Sequence, residues 1–186
     1  MATENLYAVR QIRTFTGQYV DVFDPNPDTI LIEDIAHALS MQCRFGGHMK
    51  NFYSVAQHSY CVYMMTEAKE LKLQALMHDA SEAYLLDIPR PIKNELSNYK
   101  EIEAKLMDVI AAKFGFEMPM HEEVKKWDEE MLHFEWNNMI INDKSVSAHT
   151  QSLSKLYGMP VGDLVPCWSS EEAKKYFLMA FNNLTK

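Results

Sequence analysis

The chain has 186 residues, of which 47% are hydrophobic and 24% are charged, proportions that predict one globular domain spanning residues 1–186. Eighteen basic and twenty-six acidic residues give a net charge of −8, which argues against binding to a nucleic-acid polymer. A small anionic substrate is still compatible with this charge, because a metal ion or a local cluster of positive charge can hold one.

The first quarter of the chain predicts a hairpin, a turn and a helix. Apolar and polar residues alternate over residues 12–23 around Gly17, which is typical of a short β-hairpin. Two prolines and three Asx residues at 24–28 predict a turn. Apolar residues recur at helical spacing from Ile32 to Leu39, and the paired glycines in RFGGH (44–48) predict a loop after that helix.

Helices are predicted for most of the remaining chain. The segments with helical periodicity are 54–68, 72–86, 97–115, 121–143 and 169–184. Ser54 and Ser97 are predicted N-caps, Gly115 is a predicted C-cap, and Ser169 with Glu172 forms a capping-box pattern. The predicted fold class is therefore all-α, a helical bundle with a small N-terminal β-hairpin.

Cysteine usage and hydropathy predict a cytoplasmic protein. Three cysteines (Cys43, Cys61 and Cys167) lack CxxC spacing, which favours reduced thiols. We find no secretory-signal pattern in the first residues and no apolar run near the ~20 residues that span a bilayer, so no membrane partner is expected. The C-terminal helix and the thirteen methionines suggest a homodimer, although methionines more often fill cores.

Two histidines are predicted to meet across a helical hairpin. His58 and His78 each lie on the apolar face of their helix. Each is about ten residues from the midpoint of a short connection near residue 68, and residues equidistant from such a turn face each other. A lone histidine on an apolar face is more often a hydrogen-bonded core residue, so the metal-site hypothesis depends on the pairing.

Acidic residues complete the candidate metal site. Asp79 follows His78 directly, and Asp128 is the best candidate for a carboxylate from a third helix. Spacing alone leaves three competitors for that position: Glu129, Glu130 and Asp143. Imidazoles and carboxylates suit Mn²⁺, Fe²⁺, Co²⁺, Ni²⁺ or Zn²⁺. A divalent cation would also offset the cost of burying an unpaired carboxylate.

Other charged residues flank this group. Glu82 lies four residues after His78 on the same side of the helix, and it could accept an imidazole N–H, move protons beside water, or simply be solvated. Asp87 is either a turn residue or a site carboxylate. The candidate phosphate-binding cations are Arg44, Arg90 and Lys93, although exposed basic residues are usually only solvated.

The order of these motifs resembles that of the HD-domain metal-dependent phosphohydrolases. RFGGH, AQHS, HDASEAYLLDIPRPIK and WDEEML follow one another within residues 12–145. The branch that they resemble most is the five-prime deoxynucleotidases and related phage-type nucleotide phosphohydrolases, a family that extends to nucleoside-antibiotic biosynthesis. The resemblance implies an HD-domain helical bundle that removes phosphate from (deoxy)nucleotides or their analogues by attack of a metal-activated water.

The same resemblance implies a role for each candidate residue. The metal ligands would be His58, His78, Asp79 and Asp128. Glu82 would be the catalytic carboxylate near the attacking water, and Asp87 would align the substrate or that water. Arg44 would bind phosphate with support from Lys93. The cofactor would be Co²⁺, Mn²⁺, Fe²⁺ or Zn²⁺, and a second ion, Mg²⁺, could bind through phosphate oxygens.

Three functions remain open on the sequence. The first is a phosphohydrolase, for which the number of phosphates on the substrate, and their release singly or as triphosphate, are undetermined. The second is a non-catalytic nucleotide-binding or regulatory module with the HD fold. The third is a metal-free helical scaffold with core histidines. The complete ligand set and Glu82 favour the first.

Overall fold

The protein is mainly helical with one small antiparallel sheet, as the sequence predicts, in a computed structural model that describes residues 10–141 and 167–186. Strands β1 (Gln11–Arg13) and β2 (Tyr19–Asp21) pair with Ile12 opposite Val20. The helices are α1 (Ile32–Met41), α2 (Val55–Met65), α3 (Lys72–Leu76), α4 (Glu82–Leu85), α5 (Arg90–Lys93), α6 (Tyr99–Phe114), α7 (Glu122–Glu135) and α8 (Ser170–Leu184).

The hairpin is attached to the helices through Asp34 of α1. Gly17 takes a φ of +92° in the hairpin turn, a conformation that glycine adopts without strain. The Asp34 carboxylate accepts hydrogen bonds from Thr14 Oγ1 (2.8 Å), Thr16 Oγ1 (2.8 Å) and Thr16 N (2.7 Å). Since Asp34 is only 2% exposed, these bonds satisfy a buried charge and fix the hairpin to the bundle.

Most predicted helix caps are present. Ser54 accepts a hydrogen bond from Gln57 N, Ser169 and Glu172 form the reciprocal capping box, and Gly115 ends α6 in the left-handed conformation. The prediction of Ser97 as an N-cap is wrong. Helix α6 begins one residue later than that cap would require, with Asn98 at the N-cap and no side-chain cap bond.

The prediction of one continuous helix over 72–86 is also wrong. Helix α3 ends at Leu76, and α4 begins at Glu82. Between them the backbone tightens into turns, with hydrogen bonds from Ala80 N to Met77 O (3.0 Å) and from Glu82 N to Asp79 O (2.9 Å). In these turns each N–H bonds to the carbonyl three residues earlier, whereas in an α-helix it bonds to the carbonyl four residues earlier.

Two further predicted boundaries lie beside the candidate site. The RFGGH segment forms the expected loop, a short turn in which Phe45 and Gly46 have φ of 55° and 62°. The helix predicted over 121–143 is regular only to Glu135 and continues as a wider π-helical turn over Trp136–Ile140. The end of that prediction, with Asp143, lies outside the described residues.

The core has two neighbouring apolar clusters. The larger includes Leu39 of α1, Leu76 of α3, Ile110 of α6 and Phe177 of α8. The smaller joins α2, α3 and α7 and contains Cys61, Val62, Met65, Ala75, Val124, Met131 and Phe134. No helix in the described part of the chain is both long and apolar enough to cross a bilayer. Packing of α2, α3 and α7 around the smaller cluster brings the candidate site residues together.

Candidate metal centre

His58 and His78 meet as the hairpin geometry predicts. His58 lies on α2, and His78 lies two residues after the end of α3, which packs against α2. Their ring centroids are 5.2 Å apart with the rings tilted by 56°. Both histidines are buried, so their imidazoles must find partners inside the protein.

Helix α7 supplies the third group. Asp128 Oδ1 lies 3.0 Å from His58 Nε2 and 3.6 Å from His78 Nε2. One donor atom from each of His58, His78 and Asp128 falls within a span of 4.8 Å, a grouping that could hold a metal ion. Asp79 is not part of this tightest group, but its Oδ2 lies 3.0 Å from His78 Nε2 and 3.7 Å from His58 Nε2.

The far nitrogens of both imidazoles are occupied. His78 Nδ1 lies 2.9 Å from the Ala75 carbonyl, which can only accept, so this nitrogen carries the proton. His58 Nδ1 lies 2.6 Å from Glu135 Oε1. The Nε2 atoms therefore face the two aspartates. His78 Nε2 is a buried atom with no properly oriented hydrogen-bond partner among the described residues, which is the arrangement expected of a metal-binding nitrogen.

Carboxyl groups outnumber basic groups at this site. Burial raises the pKa of Asp128, but contacts with His58 and His78 more than reverse this and hold that pKa well below its ordinary range. Burial also raises the pKa of Asp79, but His78 and His58 together hold that pKa below its ordinary value. One buried arginine, Arg44, faces the carboxyl groups of Asp79, Glu82, Asp87 and Glu135. A divalent cation would lower the cost of burying several carboxylates together.

Glu82 and Asp87 lie beside this group, at the start and just beyond the end of α4. Gln42 donates to the Glu82 carbonyl (2.9 Å) and accepts from Asp87 N (3.0 Å), which fixes both residues. Glu82 Oε2 and Asp87 Oδ2 are buried without a hydrogen-bond partner among the described residues. Burial, with repulsion from Asp79 and Asp87, raises the pKa of Glu82 well above its ordinary value. Glu82 does not accept the second imidazole proton of His78, because Ala75 does.

The predicted cations differ in their distance from the site. Arg44 is buried, with Nε 2.9 Å from Glu135 Oε2 and Nη1 3.8 Å from Asp79 Oδ2. Lys93 Nζ lies 2.6 Å from Glu103 Oε1, so its ion pair is with Glu103. Its positive charge also lowers the pKa of Glu82, without a direct contact being formed. Arg90 is exposed and pairs with Glu129 at 3.0 Å. Arg44 is therefore the cation that the fold brings against the carboxylates.

Sequence reasoning missed Glu135, which is completely buried and contacts both His58 and Arg44. The available signal was its position seven residues after Asp128, close to two full turns of an α-helix. Residues at that spacing lie on the same side of a helix, so a carboxylate there would face the same histidine.

Comparison with known proteins gives two relatives. The chain is 38% identical to the uncharacterized protein YfdR of Escherichia coli over 175 residues, which cover 94% of this chain and 96% of YfdR. It is 32% identical to an uncharacterized protein of Rhodobacter capsulatus over 123 residues, 61% of this chain and 63% of that protein. No protein-family model matches the chain.

Proposed function

This chain belongs to the family of Escherichia coli YfdR, and we propose that it is an HD-domain phosphohydrolase that uses a divalent metal to remove phosphate from (deoxy)nucleotides or nucleotide analogues. The observation that carries the proposal is the convergence of two imidazole Nε2 atoms and two aspartates. The hydrogen bonds at both Nδ1 atoms orient the imidazoles toward that point.

The donor set fits a transition metal better than Mg²⁺ or Ca²⁺. Neutral imidazole nitrogens bind Co²⁺, Mn²⁺, Fe²⁺ and Zn²⁺, whereas Mg²⁺ and Ca²⁺ prefer sites made of oxygen atoms. His58, His78, Asp79 and Asp128 would hold the ion. A divalent ion held there would supply Lewis-acid chemistry, by making water reactive near neutral pH and by offsetting charge on phosphoryl oxygens.

The chain's own residues would handle protons and the substrate. Glu82 has a raised pKa and an unpartnered oxygen, so it is suited to accept a proton from attacking water and return it to the leaving oxygen. Asp87 lies on the same side, held by Gln42, where it can orient that water or the substrate. Arg44 keeps Nη1 on the Asp79 side, where it can bind a phosphoryl oxygen.

The test is turnover by metal-loaded protein. The protein is stripped with a chelator, reloaded separately with Co²⁺, Mn²⁺, Zn²⁺ or Mg²⁺, and incubated with a panel of ribo- and deoxynucleoside mono-, di- and triphosphates. Phosphate, pyrophosphate and triphosphate are measured separately, since the product shows how the phosphates leave. Asp128→Asn tests the metal ligand, and Glu129→Gln is the matched control on the same helix, where Glu129 pairs with the exposed side chains of Arg90 and His133.

We expect the wild-type protein to turn over nucleotide with at least one transition metal. We expect Asp128→Asn to lose turnover and Glu129→Gln to keep it unchanged. Metal and nucleotide binding without any product would instead favour a non-catalytic nucleotide-binding or regulatory module. Absence of metal binding would leave a helical scaffold with core histidines.

A further inference from the structure

Glu135 is the most enclosed acidic residue of the site. It lies at the C-terminal end of α7 and is 0% exposed. Its two oxygens have different partners, since Oε1 lies 2.6 Å from His58 Nδ1 and Oε2 lies 2.9 Å from Arg44 Nε. A buried carboxylate is tolerated when both of its oxygens are paired in this way.

We propose that Glu135 is a positioning residue that fixes the proton of His58 on Nδ1 and, through its second oxygen, the orientation of Arg44. The inference rests on the metal-dependent function proposed above. Glu135 is not itself a ligand, because His58 and Arg44 lie between its two oxygens and the aspartates.

The contacts of His58 decide which nitrogen keeps the proton. When the imidazole is neutral, only one nitrogen bears hydrogen. The contact with Glu135 is 2.6 Å long and entirely enclosed, whereas the contact of Nε2 with Asp128 is 3.0 Å long and the Asp128 side chain is 35% exposed. Water can replace the Asp128 contact, but it cannot reach Glu135. The proton therefore stays on Nδ1, and the Nε2 lone pair is available to a metal ion.

The second oxygen links this imidazole to the arginine. Because Nε of Arg44 bonds to Glu135, the planar guanidinium is held with Nη1 toward Asp79 Oδ2, 3.8 Å away. One carboxylate thus orients a metal ligand and the neighbouring cation together.

Glutamine cannot replace Glu135 in both contacts. Its amide has one acceptor oxygen, whereas His58 Nδ1–H and Arg44 Nε–H are both donors. If the amide oxygen faces Arg44, its NH₂ faces His58 Nδ1 and favours the tautomer with the proton on Nε2. That tautomer has no lone pair at the metal side.

The tautomer can be observed without any metal or substrate. Metal-free protein labelled with ¹⁵N-histidine is studied by long-range ¹H–¹⁵N NMR during a pH titration, and the tautomer of His58 is determined once its imidazole has lost the second proton. Wild-type protein and Glu129→Gln are expected to show His58 with the proton on Nδ1, and Glu135→Gln is expected to lose that state in whole or in part. A wild-type His58 protonated on Nε2 would overturn the inference, whether or not the variant folds.

Metal titration of the same proteins provides the second measurement. Glu135→Gln should bind Co²⁺ or Zn²⁺ about 10- to 100-fold more weakly than wild type, while Glu129→Gln should match wild type. Equal affinity and an unchanged tautomer in folded Glu135→Gln would contradict the positioning role and leave the phosphohydrolase proposal intact. Failure of the wild type to bind any metal would contradict the proposed function, and the tautomer measurement would still stand.

Discussion

Asp128 and Glu135 contact opposite nitrogens of one imidazole, at 3.0 Å from Nε2 and 2.6 Å from Nδ1 of His58. They are seven residues apart on α7 and therefore lie on the same side of that helix. Helix α7 thus contributes a candidate metal ligand and the group that orients another. A displacement of α7 would disturb both at once.

Removing a ligand and removing the proposed proton acceptor should have different effects. Asp79→Ala is expected to weaken metal binding by about 10- to 100-fold or more, because its carboxylate contacts both imidazoles. Glu82→Gln is expected to keep metal and to lower turnover by about 10²- to 10⁴-fold. Calorimetric metal titration and phosphate release measure the two quantities. Comparable loss of metal in both variants would mean that Glu82 is a ligand.

Metal binding should strengthen as pH rises. Burial and Arg44 lower the pKa of His58, but Glu135 and Asp128 raise it more, and the net pKa lies above the ordinary 6.5. Burial lowers the pKa of His78 as well, and Asp79 and Asp128 raise it well above that value.

Protonation of these imidazoles therefore stabilises the metal-free fold fully below about pH 6.5, and this contribution is lost as pH rises through the raised pKa values. Metal must displace the same protons, so its affinity should increase over that interval and then level off. The shift in melting temperature on adding metal, measured from about pH 6 to about pH 9, checks this. His133→Asn, at an exposed histidine, should leave the profile unchanged; a flat wild-type profile would contradict the assignment of both imidazoles.

Gln42 should affect turnover without affecting metal. Its side chain bonds to the backbone of Glu82 and Asp87, so Gln42→Ala removes the support of both carboxylates. We expect a loss of about 1–3 kcal/mol of stability and a lower kcat at unchanged metal affinity. Gln11→Ala, at an exposed hairpin position, is the control. An unchanged kcat in folded Gln42→Ala would show that this support is not needed.

Asp34 should matter for stability alone. Asp34→Ala removes the acceptor of three hydrogen bonds from the hairpin, and the loss should be about 2 kcal/mol or more because the bonds go to a buried charge. Urea unfolding measures it, with Asp28→Ala at an exposed position as control. Equal midpoints for the two variants would indicate that the hairpin is held by its apolar contacts.

The sequence predicted those features that depend on regular local geometry. Counting residues from the connection near 68 predicted that His58 and His78 face each other, because rise per residue is constant in a helix. Apolar periodicity predicted α1, α2, α6 and α8. The preference of serine for helix N-termini predicted the caps at Ser54 and Ser169.

Features set by tertiary contacts were not predictable in this way. The helical pattern of apolar residues in the sequence continues across the break between α3 and α4. In the structure, hydrogen bonds from His78 to the Ala75 carbonyl and from Gln42 to the Glu82 carbonyl lie at this break. Glu135 resembles an ordinary solvated glutamate in the sequence, and only the packing of α7 against α2 encloses it.

The metal centre itself is tested most directly by anomalous X-ray scattering from crystals loaded with Co²⁺. We expect one strong peak between His58 Nε2, His78 Nε2 and the carboxylates of Asp79 and Asp128, and loss of that peak in Asp128→Asn. A cobalt peak elsewhere, or no cobalt peak in crystals soaked at saturating Co²⁺, would contradict a metal centre at these four residues.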